Sequence, residues 1–372
     1  MLLRCPACKS DGVLFLHQEI AECERCGATY PAPAGIIDFV AGREVTALDA
    51  QHYHEEKKVA PDSCRKFARH LLTAADGLLP KTIGKVLEIG AGTGLLTGGL
   101  LSECACGSAV VTDISPDMLR ICQETVRQTA PGSADRVVFC TYSGKEDILP
   151  DSAFDLCIGN SVVHHILNYR DFFRVVRDAL APGGRAVFIE PGAPFHDALT
   201  LAMSDALLAC DPALDPAWAP VRAWIAETRS RLMFPAVGME AREDKHIFSR
   251  EDVTRAAKAA GYGRVVLIPL DRDPEGASAV AGYLRELGVT AARIEEFLPV
   301  YASCARHHFR HLPEADRSAM YVIGLRRPRF GRLFGRRRRE RLAKVAAGLI
   351  QSPTKPVPPT AARSSEYVSV DW

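Results

Sequence analysis

The stretch VLEIGAGTGLLT, from Val86 to Thr97, decides how the rest of this chain is interpreted. It opens with an apolar run, Val86 to Ile89, that suits a buried parallel strand. The run breaks into Gly90-Ala91-Gly92-Thr93-Gly94 and then resumes as a helix entry. Glycines let a ligand approach backbone N–H groups closely, and a helix N-terminus favours polar or anionic groups. The stretch therefore predicts a site for a polar ligand.

Three kinds of glycine loop can be compared with this one. A phosphate-binding P-loop needs Gly-Lys followed by Ser or Thr, and this loop has no lysine. In a dinucleotide fingerprint the third small residue would fall on Leu95, which is too large for close helix–strand packing. The third pattern, E-x-G-x-G-x-G, begins at Glu88 and places glycines at 90, 92 and 94. It resembles motif I of the class I S-adenosylmethionine (SAM) dependent methyltransferases. Taken alone, the motif also fits an ordinary βα turn.

From Lys85 onward, apolar runs alternate with helical patterns, which predicts an α/β fold with a doubly wound, Rossmann-like sheet. We expect seven strands in a parallel arrangement. The predicted strands are Val86–Ile89, Ala109–Thr112, Val137–Cys140, Phe154–Asn160, the run after Gly184, Arg264–Leu270 and Ala319–Leu325.

The second predicted strand ends at Asp113, where a carboxylate can accept hydrogen bonds from ribose hydroxyls. The run from Asp113 to Leu119 is similar to the segment that follows this strand in the methyltransferase family. The resemblance implies that Asp113 holds ribose and that Ile114 packs on adenine. Ser115 is a helix N-cap followed by Pro116 at the first helical position, so the segment also has a structural role.

The family usually places an Asp after the third strand, to contact the adenine amino group. Here that position falls on Ser143, so either the serine hydroxyl or Glu146 or Asp147 would take its place. The turn from Leu180 to Gly184 resembles motif III and predicts a tight entry into the fifth strand. Together the resemblance implies SAM binding by Glu88, Gly90, Ala91, Gly92, Gly94, Asp113, Ile114, Met118, Ser143, Gly144 and Asn160.

His164 and His165 follow the fourth strand, whose end faces the reactive methyl group in similar enzymes. Two consecutive histidines at a helix start point in different directions. We expect one to be a packed or capping residue, and the other is a candidate general base because imidazole titrates near neutral pH. Tyr53 is either a lid over SAM, as in similar enzymes, or a surface tyrosine.

Two C-x-x-C pairs near the N-terminus are separated by fourteen residues, close to the spacing of a zinc ribbon. Four thiolates leave no coordination position for water, so this spacing predicts a structural Zn²⁺ site. The intervening residues suit a short hairpin. Redox dithiols and unrelated thiols are the alternatives. The predicted ligands are Cys5, Cys8, Cys23 and Cys26.

The domain organisation follows from these patterns. We expect a zinc ribbon at 1–40, a helical linker at 41–84, the methyltransferase domain at 85–328 and a basic, largely disordered tail at 329–372. Helical cap insertions are expected at about 192–248 and 271–318. The first holds Trp218, Trp224 and Phe234, which line a pocket or pack the cap. The second holds His307, His308 and His311, which form either a metal or acid/base site or a solvated helix face.

The chain has 372 residues, 12 cysteines and a net charge of +1. Ten of its basic residues and one acidic residue lie between Arg326 and Lys344, so the rest of the chain is mildly acidic. This stretch suits an anionic membrane surface, RNA or an acidic partner. No signal peptide or membrane span is evident, so we expect a cytoplasmic protein, either free or peripheral at a membrane.

These observations predict SAM-dependent methyl transfer to O, N or C of a small-molecule acceptor, such as a sugar or a secondary metabolite. RNA methylation is the alternative that the ribbon and basic stretch favour. A non-catalytic SAM-binding scaffold is the second alternative. The sequence leaves the acceptor and the oligomeric state open.

Overall fold

A computed structural model describes residues 3–42, 50–79, 82–211, 215–240, 242–271 and 273–329. Within these ranges, no helix combines the length and apolar character that a membrane crossing requires. The basic stretch lies outside the described residues beyond Arg329. Its predicted membrane, RNA or acidic partner, and the predicted tail, therefore stay predictions.

One mixed sheet of eight strands organises the chain, in the order β10-β11-β9-β8-β5-β6-β7-β4. β11 runs antiparallel to β9 and β10, and the other neighbours are parallel. The predicted α/β, doubly wound fold is confirmed. The strands are β4 (Ile36–Ile37), β5 (Thr82–Ile89), β6 (Ala105–Asp113), β7 (Val137–Thr141), β8 (Phe154–Asn160), β9 (Leu180–Pro191), β10 (Arg264–Pro269) and β11 (Met320–Arg326).

The predicted number of seven strands was too low by one, and the sheet is mixed rather than parallel. The additional strand, β4, comes from the N-terminal module and pairs in parallel with β7. Both of its residues are buried. Two consecutive apolar residues are too few to show a strand pattern in sequence.

The glycine pair at 183 and 184 lies inside a strand and does not form the predicted turn before one. β9 begins at Leu180, which pairs with Phe154, and the register is irregular before the next pair. Gly183 has a φ of 84°. A Cβ on Gly184 would lie 2.8 Å from the carbonyl oxygen of Ala181. The glycines therefore permit a bulge in the strand.

Helices cover both faces of the sheet. One face packs against α2 (Pro61–Ala74), α3 (Leu95–Glu103) and α4 (Pro116–Thr129). The other packs against α5 (Tyr169–Ala179) and α8 (Arg250–Ala260). A shorter helix, α1 (Ala50–Glu56), precedes α2 in the region where a helical linker was expected.

The N-terminal module, residues 3–40, is called the ribbon below. It contains the predicted hairpin, formed by β1 (Leu14–His17) and β2 (Ile20–Cys23), with β3 (Thr29–Pro31) added to β2. Its buried Leu3, Leu14 and Ile37 belong to the same hydrophobic core as residues of the sheet. The ribbon is therefore packed into the sheet edge.

Four helices contributed by the two expected insertions form a separate layer, called the cap below. They are α6 (Ala193–Cys210), α7 (Ala219–Met233), α9 (Ala277–Glu286) and α10 (Ala291–Phe309). Their inward side chains make a core of their own. Trp218 packs on Phe297 with ring centroids 5.1 Å apart, and Trp224 packs on Tyr283 at 4.6 Å. Phe234 is 56% exposed.

Candidate functional site

The loop between β5 and α3 has the backbone conformation that its glycines predict. Gly90 and Gly94 have φ values of 69° and 95°. A Cβ on Gly90 would collide with Val162, and one on Gly94 would lie 3.0 Å from Cys122 Sγ. Both positions therefore exclude a side chain for two reasons, the left-handed backbone and the close neighbours.

Gly92 differs from these two glycines because an added Cβ would meet only an ordinary van der Waals contact and no clash. Its φ is 53°, and the nearest atom to an added Cβ is Tyr53 Cε1 at 3.8 Å. Its backbone N–H donates to Asp113 Oδ2 at 2.8 Å. Asp113 Oδ1 accepts from the N–H of Ser115 at 2.9 Å. Asp113 therefore joins the ends of β5 and β6, and each of its oxygens keeps further acceptor capacity.

A cavity of about 230 Å³ lies at the carboxyl ends of β5 and β8. In an open α/β sheet this is where ligands bind. Its walls come from the glycine loop, the end of β8 and the segment around α1. The lining residues are Tyr53, Lys57, Val59, Glu88, Gly90, Ala91, Gly92, Thr93, Leu95, Leu96, Asn160 and Ser161.

Thr93 lines this cavity and carries a buried hydroxyl group. The residue is 2% exposed, and its Oγ1 has no hydrogen-bond partner among the described residues. A buried hydroxyl without a partner costs free energy, so Thr93 Oγ1 is a candidate for binding a polar group at the cavity wall. This orphaned hydroxyl, together with the space beside Gly92, fits a polar ligand in the loop.

Glu88 places a carboxyl group against the same cavity. Burial raises its pKa to about 7, and the nearby Asp113 carboxylate adds to this increase. A cationic ligand would favour the ionised form of this carboxyl group, because opposite charges lower the pKa of an acid.

The predicted adenine-binding residues lie outside the wall of the cavity. Ile114 is 44% exposed beside Asp113, and Met118 is buried. Ser143 uses both its N–H and its hydroxyl to donate to the Glu146 carboxylate, at 2.7 and 2.8 Å. Gly144 follows with a φ of 85°. None of these four residues lines the cavity, and neither does Asp113.

The turn after β8 carries backbone strain next to the cavity. Ser161 has a φ of 53°, an uncommon conformation for a residue with a side chain. The buried Glu190 holds the turn by accepting from the N–H groups of Val162 and Val163 at 3.0 and 2.7 Å. Strain of this kind concentrates at binding and catalytic sites.

His164 lies between carboxylates on either side. Its Nδ1 is 2.6 Å from Glu190 Oε2, and its Nε2 is 3.5 Å from Asp244 Oδ1. Arg231 donates to the other oxygen of Asp244 at 2.9 Å. Burial lowers the pKa of His164, but the neighbouring carboxylates of Asp244 and Glu190 outweigh burial and raise it to about 9.

His165 has a different environment from its neighbour. Burial and the charge of His164 lower its pKa. Its side chain is 41% exposed, and its Nδ1 lies 3.1 Å from the carbonyl oxygen of Glu243. Of the two histidines, His165 is therefore the one that is neutral at pH 7. A base role for either residue stays a prediction.

Residues 87–186 match a family model described as a methyltransferase domain. The chain contains a methyltransferase domain. The match begins in β5, includes the glycine loop and Asp113, and ends in β9. The match therefore includes the stretches on which the resemblance rests, namely the glycine loop, the segment from Asp113 to Leu119 and the turn from Leu180 to Gly184.

The curated relatives compared with this chain match between 28% and 35% of it. Equisetin synthetase of Fusarium heterosporum is 32% identical over 111 residues, which are 28% of this chain and 3% of that protein. The chain spans about 3–5% of the length of the curated relatives it matches.

Solved structures with a similar fold include a SAM-dependent methyltransferase from Mesorhizobium loti. It has 20% identity and a TM-score of 0.39, with coverage of 69% of this chain and 98% of that one. Phosphoethanolamine N-methyltransferase 2 of Haemonchus contortus, in complex with SAM, has 13% identity and a TM-score of 0.41, with coverage of 81% and 62%. Similarity this distant supports no conclusion about activity or acceptor.

The four predicted zinc ligands lie together in the ribbon, in front of the methyltransferase domain. Cys5 Sγ and Cys26 Sγ are 3.8 Å apart, and Cys8 Sγ and Cys23 Sγ are 3.7 Å apart. A tetrahedral Zn²⁺ with bonds of about 2.3 Å holds its sulfur ligands about 3.8 Å apart. The cluster therefore fits this metal.

Several residues at the site were not predicted from the sequence. Lys57, Val59, Thr93 and Ser161 line the cavity, and Asp244 contacts His164. The N–H groups that Glu190 accepts from were also not evident in the sequence. Asp244 lies about eighty residues beyond His164, and no local pattern links them. His308 forms an ion pair with Asp205 at 2.7 Å, so it is engaged elsewhere.

Proposed function

We propose that this protein is a SAM-dependent methyltransferase with a small-molecule acceptor. The observation that carries the proposal is that the motif-bearing loop itself lines a cavity at the carboxyl end of the sheet. A generic βα turn would need neither the orphaned Thr93 hydroxyl nor the space beside Gly92. The match of residues 87–186 to a methyltransferase domain supports the same function.

Residues of the cavity and of the adjoining end of β6 would bind different parts of the cofactor. The Thr93 hydroxyl and the Glu88 carboxylate would bind the carboxylate and amino groups of the methionine part. Asp113 would accept from ribose hydroxyls through its remaining lone pairs. Ile114 would cover one face of adenine, which explains why a large apolar side chain is exposed there.

SAM supplies a methyl group that is activated by a sulfonium. The chain would mainly orient the acceptor, because alignment at about 3–3.5 Å can supply much of the rate acceleration. Ser161 and Asn160, at the cavity wall, lie where the strand end would face this methyl group. His165 is the better candidate base of the two histidines, since a base must be unprotonated before it acts.

The charges of the ribbon favour a small-molecule methyl acceptor over an RNA acceptor. Arg4 pairs with Asp11 and Asp147 at 2.8 and 2.9 Å, and Lys9 pairs with Asp147 at 2.9 Å. Basic groups that are neutralised within the protein contribute less to phosphate binding. We further propose that the ribbon carries a structural Zn²⁺ ion, since the sulfur spacing fits one.

Incubation with radiolabelled SAM and fractionated cell extract tests the proposed function. Label in the small-molecule fraction supports it, whereas label in RNA, or in neither fraction, contradicts it in favour of RNA methylation or a scaffold.

A matched pair of variants, Gly92→Ala and Gly288→Ala, tests the position of the cofactor. Both glycines have positive φ and no close neighbour to a Cβ, but only Gly92 lines the cavity.

We expect Gly92→Ala to weaken SAM binding at least about tenfold, because the added methyl group enters the cavity. Gly288→Ala should retain affinity while incurring a similar backbone strain. Equal affinity of both variants in calorimetric titration would place the cofactor elsewhere.

A second pair of variants tests the orphaned hydroxyl. Thr93 and Thr129 are both buried with unpartnered Oγ1 atoms, but Thr129 does not line the cavity. Thr93→Val should weaken SAM binding about 10- to 100-fold, which is the value of a hydrogen bond to a charged group. Thr129→Val should leave affinity unchanged, and ligand-free Thr93→Val should be no less stable than the wild type.

A further inference from the structure

We propose that His164, His165 and Asp244 form a binding site for a divalent transition-metal ion of the zinc class. The site is distinct from the four-cysteine cluster of the ribbon. It joins the turn after β8 to the segment that returns from the cap to the sheet.

The spacing of the three side chains fits a tetrahedral ion. Asp244 Oδ1 lies 3.5 Å from His164 Nε2 and 3.5 Å from His165 Nδ1. The three groups offer ligand atoms that all lie within 4.8 Å of one another. An ion with bonds of about 2.1 Å holds tetrahedral ligands about 3.4 Å apart. A distance of 3.5 Å is long for a direct hydrogen bond, so a bridging ion accounts for it better.

The surrounding groups hold these ligands in the orientation that a metal needs. Glu190 Oε2 lies 2.6 Å from His164 Nδ1, so Nε2 points towards Asp244. A carboxylate behind a ligand histidine is the usual support for zinc. Arg231 occupies Asp244 Oδ2 at 2.9 Å and leaves Oδ1 for the ion. The negative charges that favour a proton on His164 favour a metal cation for the same reason.

Two imidazoles and one carboxylate indicate the class of ion. This set suits Zn²⁺ and neighbouring first-row ions, and three protein ligands leave a coordination position open. Binding would replace the contact between His165 Nδ1 and the carbonyl of Glu243. His165 and Asp244 are 41% and 43% exposed, so an ion can reach them.

The open coordination position would bind the methyl acceptor, and this role rests on the proposed function. The turn that carries both histidines begins at Ser161, in the cavity wall. With the ion bound, His165 would be a ligand and would no longer have a free lone pair with which to act as a base. An acceptor hydroxyl bound to the ion would instead lose its proton to solvent more readily. Its oxygen would then form the bond to the methyl group as the bond from that carbon to sulfur breaks, releasing S-adenosylhomocysteine.

Cobalt substitution of the full chain tests the site without any turnover. The chain is stripped with a chelator and titrated with Co²⁺. The ribbon cysteines should give intense thiolate charge-transfer absorption, and the second site should give only weak ligand-field bands. We expect about two equivalents per chain in the wild type and about one in His165→Ala and Asp244→Ala.

The matched control is His308→Ala, which breaks a histidine–carboxylate pair elsewhere on the cap. It should keep about two equivalents. Asp244→Ala also removes a partner of Arg231, so folding of each variant is checked by circular dichroism and by SAM titration. His165→Ala is the second variant, because the His165 side chain is half-exposed and its loss should disturb folding less.

One equivalent in the wild type, bound only by thiolates, would overturn the site. So would two equivalents retained in folded His165→Ala. Failure of the proposed function would give a different result. The chain would still bind two ions, but it would not bind SAM or would transfer no label.

Discussion

The ribbon and the cap both flank the sheet, but they are attached to it in opposite ways. The ribbon adds β4 to the sheet and shares its hydrophobic core. The cap has a core of its own, and contacts such as that of Lys57 with Glu286 at 3.4 Å link it to the rest of the domain. The ribbon should therefore control the stability of the whole domain, whereas the cap should be able to unfold locally.

Loss of the proposed ribbon metal should have the largest effect. Cys8→Ser, or treatment of the wild type with a strong chelator, should lower the melting temperature by more than about 10 °C in one transition, because structural zinc supplies folding free energy. Circular dichroism melts with and without added zinc provide the measurement. The control is Cys210→Ser, an exposed thiol in the cap. A separate early transition for the ribbon would contradict a shared core.

Truncation of the cap core should destabilise the cap alone. Phe297 is buried against Trp218, so Phe297→Ala should cost about 3–5 kcal/mol locally. We expect faster amide exchange in α6, α7, α9 and α10, loss of methyl transfer, and SAM affinity within a few-fold of the wild type. Hydrogen exchange read by mass spectrometry checks this. Protection lost equally in β5 and β6 would show that the cap is not separate.

The joint between the ribbon and the sheet depends on one hydroxyl. Thr141 Oγ1 accepts from the N–H groups of Phe39 and Val40 at 2.9 and 3.2 Å and donates to Asp38 at 2.7 Å. Thr141→Val should cost about 1–3 kcal/mol, because it leaves buried groups unpaired. Urea unfolding measures the change.

Thr73→Val is the matched control for this joint, since Thr73 is on α2 and its hydroxyl donates within its own helix. It should cost less than about 0.5 kcal/mol. Equal losses in both variants would mean that the hydroxyl does not hold the ribbon in place.

A pH-dependent effect should come from Glu88, which belongs to neither region. Its pKa in the folded protein, about 7, exceeds the ordinary value of 4.5. The folded state therefore binds more protons than the unfolded state between these values. Stability should fall as pH rises from about 4.5 through about 7. Glu88→Gln should lack this decline.

Because of Glu88, the affinity for SAM should rise with pH, whereas the stability of the free protein should fall. A ligand amino group favours the carboxylate, so wild-type affinity should rise between pH 6 and pH 8, and affinity of Glu88→Gln should stay flat. Calorimetric titration at several pH values checks both. Identical pH profiles for the two proteins would place the ligand cation away from Glu88.

Local sequence patterns were sufficient for much of the fold. Six predicted strands begin or end within a few residues of those observed, and Phe154–Asn160 matches β8 fully. Buried parallel strands are continuous apolar runs, which are visible without tertiary information. β4 was missed because a two-residue strand exists only through its partner in β7.

The candidate site also combines residues whose positions the sequence predicts with residues whose contacts it does not predict. The glycine loop and Asp113 are adjacent to their strands, so their positions follow from the fold class and the motifs. Ser143, or alternatively Glu146 or Asp147, was expected to contact adenine, and this stays a prediction; the structure adds that the Ser143 hydroxyl donates to Glu146. Competition among nearby acceptors is decided by three-dimensional geometry, which spacing does not contain.

The sequence by itself determined the class of fold, the polar-ligand loop and the four cysteines, because each is encoded by residues close together in the chain. Only the tertiary structure decided that the ribbon completes the sheet, that Thr93 lines the cavity and carries an unpartnered hydroxyl, and that Asp244 meets His164 and His165. Such juxtapositions join residues tens of positions apart. They arise from packing of whole elements, and no local periodicity records them.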